Sequence, residues 1–223
     1  ELIARSGYDA VTIDLQHGLA GYETALCMLQ AITGSPAAAL VRVPWNDPAL
    51  IMRMLDAGAQ GIICPMINTA QDARQFAGAC RYPPQGYRSA GPIRAEQYSV
   101  DDYISHANQR VLALAMIETG QALENLEEIL DTPGLDGVYV GPVDLSISLG
   151  LTQRGSVDDP TMRSHFRRIL DAVHRRGLIA GIPAYRPDKS LDMAALGFDL
   201  VTPFKDSSEL QNRARQIVKE MQQ

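Results

Sequence analysis

Two acidic residues in this chain follow directly on apolar runs: Glu118, in Met116-Ile117-Glu118-Thr119, and Asp144, in Gly141-Pro142-Val143-Asp144. Carboxylates brought together at the ends of buried segments repel each other and lose hydration unless a cation or protons neutralise them. An oxygen-only pair suits a hard divalent ion such as Mg²⁺, Mn²⁺ or Co²⁺ and leaves coordination positions open for water and substrate. The alternative is that each carboxylate caps the helix after it or pairs with an arginine, and spacing alone leaves both readings open. His17, in Asp14-Leu15-Gln16-His17-Gly18, is the one of four histidines that ends an apolar run. It reads either as a general base, since a neutral imidazole titrates near neutral pH, or as a structural histidine. As a base its ring would be oriented by Asp14 or Asp56. Arg42 ends the next apolar run, where a guanidinium suits two-pronged carboxylate recognition; elsewhere it would be a solvated charge. Gly141 permits close backbone approach, and the amides near Val143 and Asp144 suit an anionic oxygen. Trp45, the sole tryptophan, either packs its loop or walls a pocket.

These residues need a scaffold that collects the ends of apolar runs at one place. Seven runs read as strands, at 10–15, 39–43, 61–66, 111–117, 137–140, 178–182 and 199–202. They are continuously apolar rather than alternating, as parallel strands covered on both faces are. Helical stretches at 48–57, 70–79, 122–131 and 161–176 separate them, and 208–221 reads as a closing helix. In 161–176, Phe166, Ile169, Leu170 and Val173 recur at three- and four-residue steps. Strands alternating with helices give βα units joined by right-handed crossovers. That leaves an open doubly wound sheet and a (β/α)₈ TIM barrel, and no GxGxxG follows the first strand to favour the dinucleotide-binding version. The expected fold is α/β; pattern alone leaves both architectures in play, and the one followed to the site is a single (β/α)₈ TIM-barrel domain over residues 1–223. The segment Glu1-Leu2-Ile3-Ala4-Arg5-Ser6-Gly7 reads as the second half of a helix, which puts the barrel's first strand upstream of residue 1. The long interruption from Arg81 to Asn108, with Pro83-Pro84, Gly86 and Gly91-Pro92, reads as a functional βα loop. In such a barrel the site forms at the C-terminal ends of the strands, where Glu118, Asp144, His17 and Arg42 all fall.

Composition narrows the classes. The 223 residues are 46% hydrophobic and 21% charged, as in ordinary globular proteins. With 20 Lys plus Arg against 26 Asp plus Glu, the net charge is −6, and no basic run is present, which argues against nucleic-acid or anionic-membrane partners. No apolar stretch approaches the roughly 20 residues that cross a bilayer. Three cysteines (Cys27, Cys64, Cys80) without CxxC spacing exclude a structural zinc site and fit reduced thiols in a cytoplasmic protein. Lys205 is the only lysine at a strand end, which argues against Schiff-base chemistry.

Taken together, Asp14-Leu15-Gln16-His17-Gly18, Val41-Arg42-Val43-Pro44, Leu55-Asp56-Ala57-Gly58-Ala59, Pro65-Met66, Arg81-Tyr82-Pro83-Pro84-Gln85-Gly86-Tyr87-Arg88, Met116-Ile117-Glu118-Thr119 and Gly141-Pro142-Val143-Asp144-Leu145-Ser146 resemble the HpcH/HpaI aldolases, in that family's order. These are metal-dependent (class II) pyruvate aldolases of the 4-hydroxy-2-oxoheptanedioate and 2-dehydro-3-deoxyglucarate type. The resemblance implies a lyase that reversibly cleaves a 4-hydroxy-2-oxo acid to pyruvate and an aldehyde through a metal-stabilised pyruvate enolate. It implies metal ligands at Glu118 and Asp144, a base at His17 with Asp56 as acidic partner, and pyruvate binding by Arg42, Gly141, Val143 and Asp144. It also implies a homo-oligomer, hexameric or trimer-based, with the last helix exchanged between neighbours. Asp14, Trp45, Arg88 and Met116 are further site candidates, Trp45 and Arg88 as influences on aldehyde choice. Departures are Met116 where some members carry a pyruvate-contacting glutamine, and Ser89 where glycine is common. A related reading is decarboxylation of oxaloacetate in the same pocket, and one of a different class is a non-catalytic oxo-acid-binding barrel.

Overall fold

All seven apolar runs are strands in the computed structural model, which describes residues 1–99 and 101–222. They are β1 (Ala10–Asp14), β2 (Ala38–Arg42), β3 (Gly61–Cys64), β4 (Leu112–Ile117), β5 (Gly137–Val140), β6 (Ile179–Pro183) and β7 (Leu200–Thr202). Each is hydrogen-bonded in parallel to the next, in sequence order. Helices alternate with the strands, and those before the last cover the outer face: α1 (Tyr22–Ile32), α2 (Pro48–Asp56), α3 (Ala70–Cys80), α4 (Ile93–Gln97), α5 (Tyr103–Arg110), α6 (Gly120–Glu124), α7 (Leu126–Leu130), α8 (Pro142–Ser148), α9 (Pro160–His174) and α10 (Pro187–Leu196), with α11 (Asp206–Met221) following β7. Local chemistry starts several of them. Asp47 accepts from the Ala49 amide at 3.0 Å with Pro48 in the first turn of α2, and Thr69 and Asp72 form a reciprocal capping box on α3. The helix expected at 122–131 divides into α6 and α7 at Asn125, whose side-chain amide donates to the Asn68 carbonyl at 2.8 Å.

The expected closed (β/α)₈ barrel is not what the chain forms. β1 pairs only with β2 and β7 only with β6 among the described residues, so the sheet is an open, curled seven-stranded half-barrel. Residues 1–9 supply no strand to bridge the gap: they hold one 3₁₀ turn, Ile3–Arg5, and a left-handed Gly7 at φ 93°. Tyr8, just before β1, lies against Phe204, just after β7, with ring centroids 6.0 Å apart. The two edges thus approach through side chains rather than through a backbone ladder.

Successive residues on a strand face opposite sides, so the curl creates two apolar layers. The outer one packs β-strand residues such as Val41, Ile62 and Val138 against helix residues such as Leu29, Phe76 and Phe166. The inner one is small: Leu40, Ile63, Leu114, Met116 and Tyr139. Tyr139 on β5 crosses β6 at Gly181, where a Cβ would meet its ring at 2.5 Å, and its hydroxyl is 2.7 Å from Thr202 Oγ1 on β7. Burial pushes the Tyr139 phenol well above its usual range, with the Thr202 bond opposing.

Parallel topology sets two rims. The strands' C-terminal ends make one, and the helices carry the chain back to the other. The segment from Arg81 to Asn108 joins α3 to β4 and lies at the rim of the strands' N-terminal ends. It is therefore an αβ connection, not the βα loop expected, and it contains α4 and most of α5. The terminal α11 has no buried residue, and Leu210, Ile217, Val218 and Met221 on it are exposed. No helix among the described residues is long and apolar enough to cross a membrane.

Candidate active site

Strand register puts the first two groups together. Asp14 and Arg42 are aligned partners at the ends of β1 and β2, and aligned residues on parallel neighbours share a face. The Arg42 guanidinium forks onto Asp14, Nε to Oδ1 at 2.9 Å and Nη2 to Oδ2 at 2.6 Å. Asp14 Oδ1 also accepts the backbone amides of Gln16 (3.1 Å) and His17 (3.2 Å). Burial would raise the Asp14 carboxyl, but the Arg42 bond and charge and the two amides outweigh it and hold it below the usual carboxylate value. The Nε–Nη2 edge of Arg42 is thus occupied, and Nη1 has no partner among the described residues. His17 is exposed at the same rim, with no carboxylate within ion-pairing distance of its ring among the described residues. The turn that carries it depends on Gly18, where a Cβ would sit 2.0 Å from the Asp14 carbonyl oxygen.

Glu118 follows β4 and is 1% exposed. Its Oε1 accepts the Met66 amide at 2.7 Å, an amide aimed by a left-handed turn (Met66 φ 56°) just after β3. Its Oε2 has no protein donor among the described residues. It packs beside the bare Cα of Gly141, where a Cβ would lie 2.5 Å from Oε2 and 2.7 Å from Glu118 Cβ. Burial pushes the Glu118 carboxyl above its usual value; the Met66 amide and Arg42 oppose this, while the like charge of Asp144 adds to it. Asp144 is in the first turn of α8, directly after β5, and is exposed. Thr119, hydrogen-bonded to Asn68, ties the loop after β4 to the one after β3. Gly141→Ala is therefore expected to overpack this corner and destabilise the fold by about 1–3 kcal/mol, which a denaturant titration would read.

The geometry collects Asp14, His17, Arg42, Glu118, Gly141, Val143 and Asp144 at one rim. Gly141 has both backbone groups engaged, its amide with the Ile117 carbonyl at 3.1 Å and its carbonyl with the Leu145 amide at 2.9 Å, so it contributes bare surface rather than a donor. Val143 is half exposed beside Asp144, and Trp45 is exposed in the loop after β2. Met116 is buried in the inner apolar layer and lies under Gly141.

Asp56 and Arg88 do not join them. Asp56 ends α2, about 13 Å of helix away from the rim where α2 begins. It accepts from Arg88 Nη2 at 2.8 Å at the opposite rim. Arg88 is fully buried there: Nη1 donates to the Tyr103 hydroxyl at 3.1 Å, and the guanidinium lies 4.6 Å from the Tyr82 ring centroid. Among the described residues no group of three or more His, Cys, Asp or Glu side chains converges as a metal cage.

One group at the site rim was not among the candidates. Tyr185 follows β6 at φ 50°, a left-handed conformation uncommon for a tyrosine, and its amide donates to the Thr202 carbonyl at 3.0 Å. Burial raises its phenol, with Arg42 lowering it and Asp14 raising it again. The signal was available: Ala184-Tyr185-Arg186-Pro187 follows a strand as the other candidates do.

Known proteins share this arrangement of chain. The profile of the HpcH/HpaI aldolase/citrate lyase family matches residues 1–202. A hydroxypyruvate/pyruvate aldolase of Rhizorhabdus wittichii is 40% identical over 218 residues, 98% of this chain and 87% of that protein. A 4-hydroxy-2-oxo-heptane-1,7-dioate aldolase of Klebsiella pneumoniae is 40% identical over 185 residues, 82% of this chain and 69% of that protein. The crystal structure of an HpcH/HpaI aldolase/citrate lyase family protein from Burkholderia cenocepacia superimposes with a TM-score of 0.89 at 33% identity, covering 100% of this chain and 89% of that one.

Proposed function

The chain belongs to the HpcH/HpaI aldolase/citrate lyase family and is a carbon–carbon lyase, and from that premise we propose that it cleaves a 4-hydroxy-2-oxo acid reversibly to pyruvate and an aldehyde. The observation that carries the site assignment is the buried Glu118, whose Oε2 lacks a protein donor among the described residues and whose carboxyl is raised further by the like charge of Asp144 from the next strand end. Two hard oxygen donors at neighbouring strand ends, one of them buried with an oxygen that no protein group reaches, fit a divalent cation, and we assign Glu118 and Asp144 as ligands of Mg²⁺, Mn²⁺ or Co²⁺. When bound, such an ion supplies Lewis acidity that lowers the cost of negative charge on an oxo group.

The chain's own groups do the rest. Asp14 fixes the guanidinium of Arg42, and the remaining Nη1 of Arg42 holds an oxygen of the oxo acid. The imidazole of His17 takes the proton from the C4 hydroxyl of the substrate. As that O–H becomes the aldehyde C=O, the C3–C4 bond breaks and its electron pair passes to the pyruvate half as an enolate. Solvent supplies a proton at C3 to give pyruvate, and the imidazolium releases its own proton to solvent. In synthesis the same imidazole returns its proton to the new hydroxyl. We assign Gly141 and Val143 to the wall on the side of Glu118 and Trp45, exposed in the loop after β2, to the aldehyde half.

Asp56 and His17 stand at opposite rims of one chain, so we assign the acidic partnership of Asp56 to a neighbouring copy in a homo-oligomer. The fully exposed α11, with Leu210, Ile217, Val218 and Met221 unpaired, supports assembly through the same copies. Sedimentation is expected to show an assembly of three or more chains; a monomer at micromolar concentration would remove both assignments. We place the protein in the cytoplasm, on the composition and the free Cys27, Cys64 and Cys80. A panel of 4-hydroxy-2-oxo acids, assayed for pyruvate release with and without added Mg²⁺ or Mn²⁺, tests the function. Release in every chelated sample at the metal-loaded rate would overturn the metal assignment, and no release from any member would overturn the lyase.

A further inference from the structure

We propose that two copies of this chain pair across α1, the Leu19 side chain of each seated in the cavity between α1 and α2 of the other. The inference rests on the assignment of Asp56 to a neighbour's His17 above, and it names the surface that makes that contact.

The cavity measures about 330 Å³ and opens beside Asp56. Tyr22 and Leu26 of α1, Arg53 and Asp56 of α2, Ala57 just after it, and Ile93 at the start of α4 line it. Contacts behind these residues fix its walls. The Arg53 guanidinium lies 3.6 Å from the centroid of the Tyr22 ring, and the Ala57 carbonyl accepts from Arg94 Nη1 at 2.7 Å. Ile93 nevertheless stays 78% exposed. Asp56 also keeps one oxygen free: Oδ1 accepts from Arg88, and Oδ2 has no donor among the described residues. The site thus combines apolar walls with an accepting carboxylate at its edge.

The turn after β1 carries the matching groups. Leu19 is 107% exposed there, two residues beyond His17, whose imidazole has no carboxylate partner among the described residues. The turn is preformed, since Asp14 Oδ1 accepts the amides of Gln16 and His17. Two residues span at most about 7 Å, so a carboxylate that holds the His17 imidazole has Leu19 close beside it. The apolar surface next to Asp56 is this cavity, bordered by Leu26, Ala57 and Ile93. A second charge pair suits the same contact. Glu23, in the first turn of α1, and Arg53 are both exposed and lack ion-pair partners among the described residues. The turn leads into α1 and the cavity borders α1, so a two-fold axis across that helix fills both cavities at once. The exposed α11 stays available for the further contact that an assembly of three or more chains needs.

Cross-linking tests the seat directly. Leu19→Cys with Ile93→Cys, made in a Cys27→Ser background that removes the exposed native thiol, is treated with a short bismaleimide. A covalent dimer is expected from this variant and not from either cysteine alone. Leu19→Asp should raise the dissociation constant of the pair roughly 10²-fold or more, read by sedimentation, because two leucines leave two apolar seats. Absence of the covalent dimer, or wild-type sedimentation of Leu19→Asp, overturns the proposal. Thermal melts separate a folding defect from a pairing one. Asp56→Asn tests the underlying assignment separately, since asparagine keeps the oxygen that accepts from Arg88 and removes the charge. The acidic limb of the cleavage profile should move to lower pH as the imidazole loses its carboxylate. A covalent dimer with an unmoved limb supports the seat and removes the His17–Asp56 partnership. No covalent dimer with a moved limb overturns the seat and leaves the partnership standing.

Discussion

Glu118→Gln is expected to abolish lyase activity, by 10³-fold or more, while making the metal-free protein more stable. The glutamine keeps the carbonyl oxygen that accepts the Met66 amide, so the turn after β3 is preserved. What is lost is the negative charge, and with it one of the two ligands proposed for the divalent ion. Calorimetric titration with Mn²⁺ is the direct check, and binding at the wild-type affinity would refute the ligand assignment. The stability gain follows from linkage. Burial raises the Glu118 carboxyl above its ordinary value in the folded chain, so the folded state holds its proton more tightly than the unfolded state does. Its contribution is favourable below the unfolded pKa and is lost as pH rises through the folded one. Near neutral pH the charged carboxylate therefore weighs against the metal-free fold. The variant's advantage in melting temperature should be present at neutral pH and shrink toward acid, below the ordinary glutamate range. Function and stability conflict at this one side chain, as they do at many active sites.

His17→Ala is expected to slow aldol cleavage roughly 10²–10⁴-fold and to leave divalent-ion binding intact. The histidine's side chain makes no hydrogen bond or ion pair with Glu118 or Asp144 among the described residues, and its own backbone amide remains to donate to Asp14. The variant should therefore still bind pyruvate and exchange its C3 protons more nearly at the wild-type rate than it cleaves the hydroxy acid. A cleavage rate equal to wild type would remove His17 from the proton transfer. The same variant sorts the related decarboxylation, which has no hydroxyl proton to remove. If oxaloacetate turnover and aldol cleavage fell equally, the histidine would be acting on something other than the C4 hydroxyl.

Much of this arrangement was legible before any coordinates. The strands declared themselves because parallel strands are buried on both faces, so runs such as Gly61-Ile62-Ile63-Cys64 and Gly137-Val138-Tyr139-Val140 have no polar alternation. Glu118, Asp144, Arg42 and His17 followed from one rule, that parallel strands deliver their C-terminal ends to a common rim. Closure of the sheet was misjudged, because periodicity reports that a strand exists but not which edge it pairs with. The segment after α3 was read as a functional loop from its prolines and glycines. Its true rim depends on counting helices, and α4 and α5 are too short and too weakly patterned to be counted from sequence. Asp56 was grouped with His17 through resemblance, yet nine residues of helix separate it from that rim within one chain. Tyr185 escaped notice because its strand end carries a phenol instead of a full charge.

The inner layer of the curl imposes a joint constraint on residues 139 and 181. The ring of Tyr139 occupies the space that a side chain at 181 would need, so bulk on β5 is matched by its absence on β6. Mutating either position alone would cost packing, through a void if Tyr139 shrinks or a collision if Gly181 grows. The two sites should therefore drift together over evolutionary time, with related sheets carrying a large group at one or the other but not at both, and a compensating double exchange should be milder than either single change.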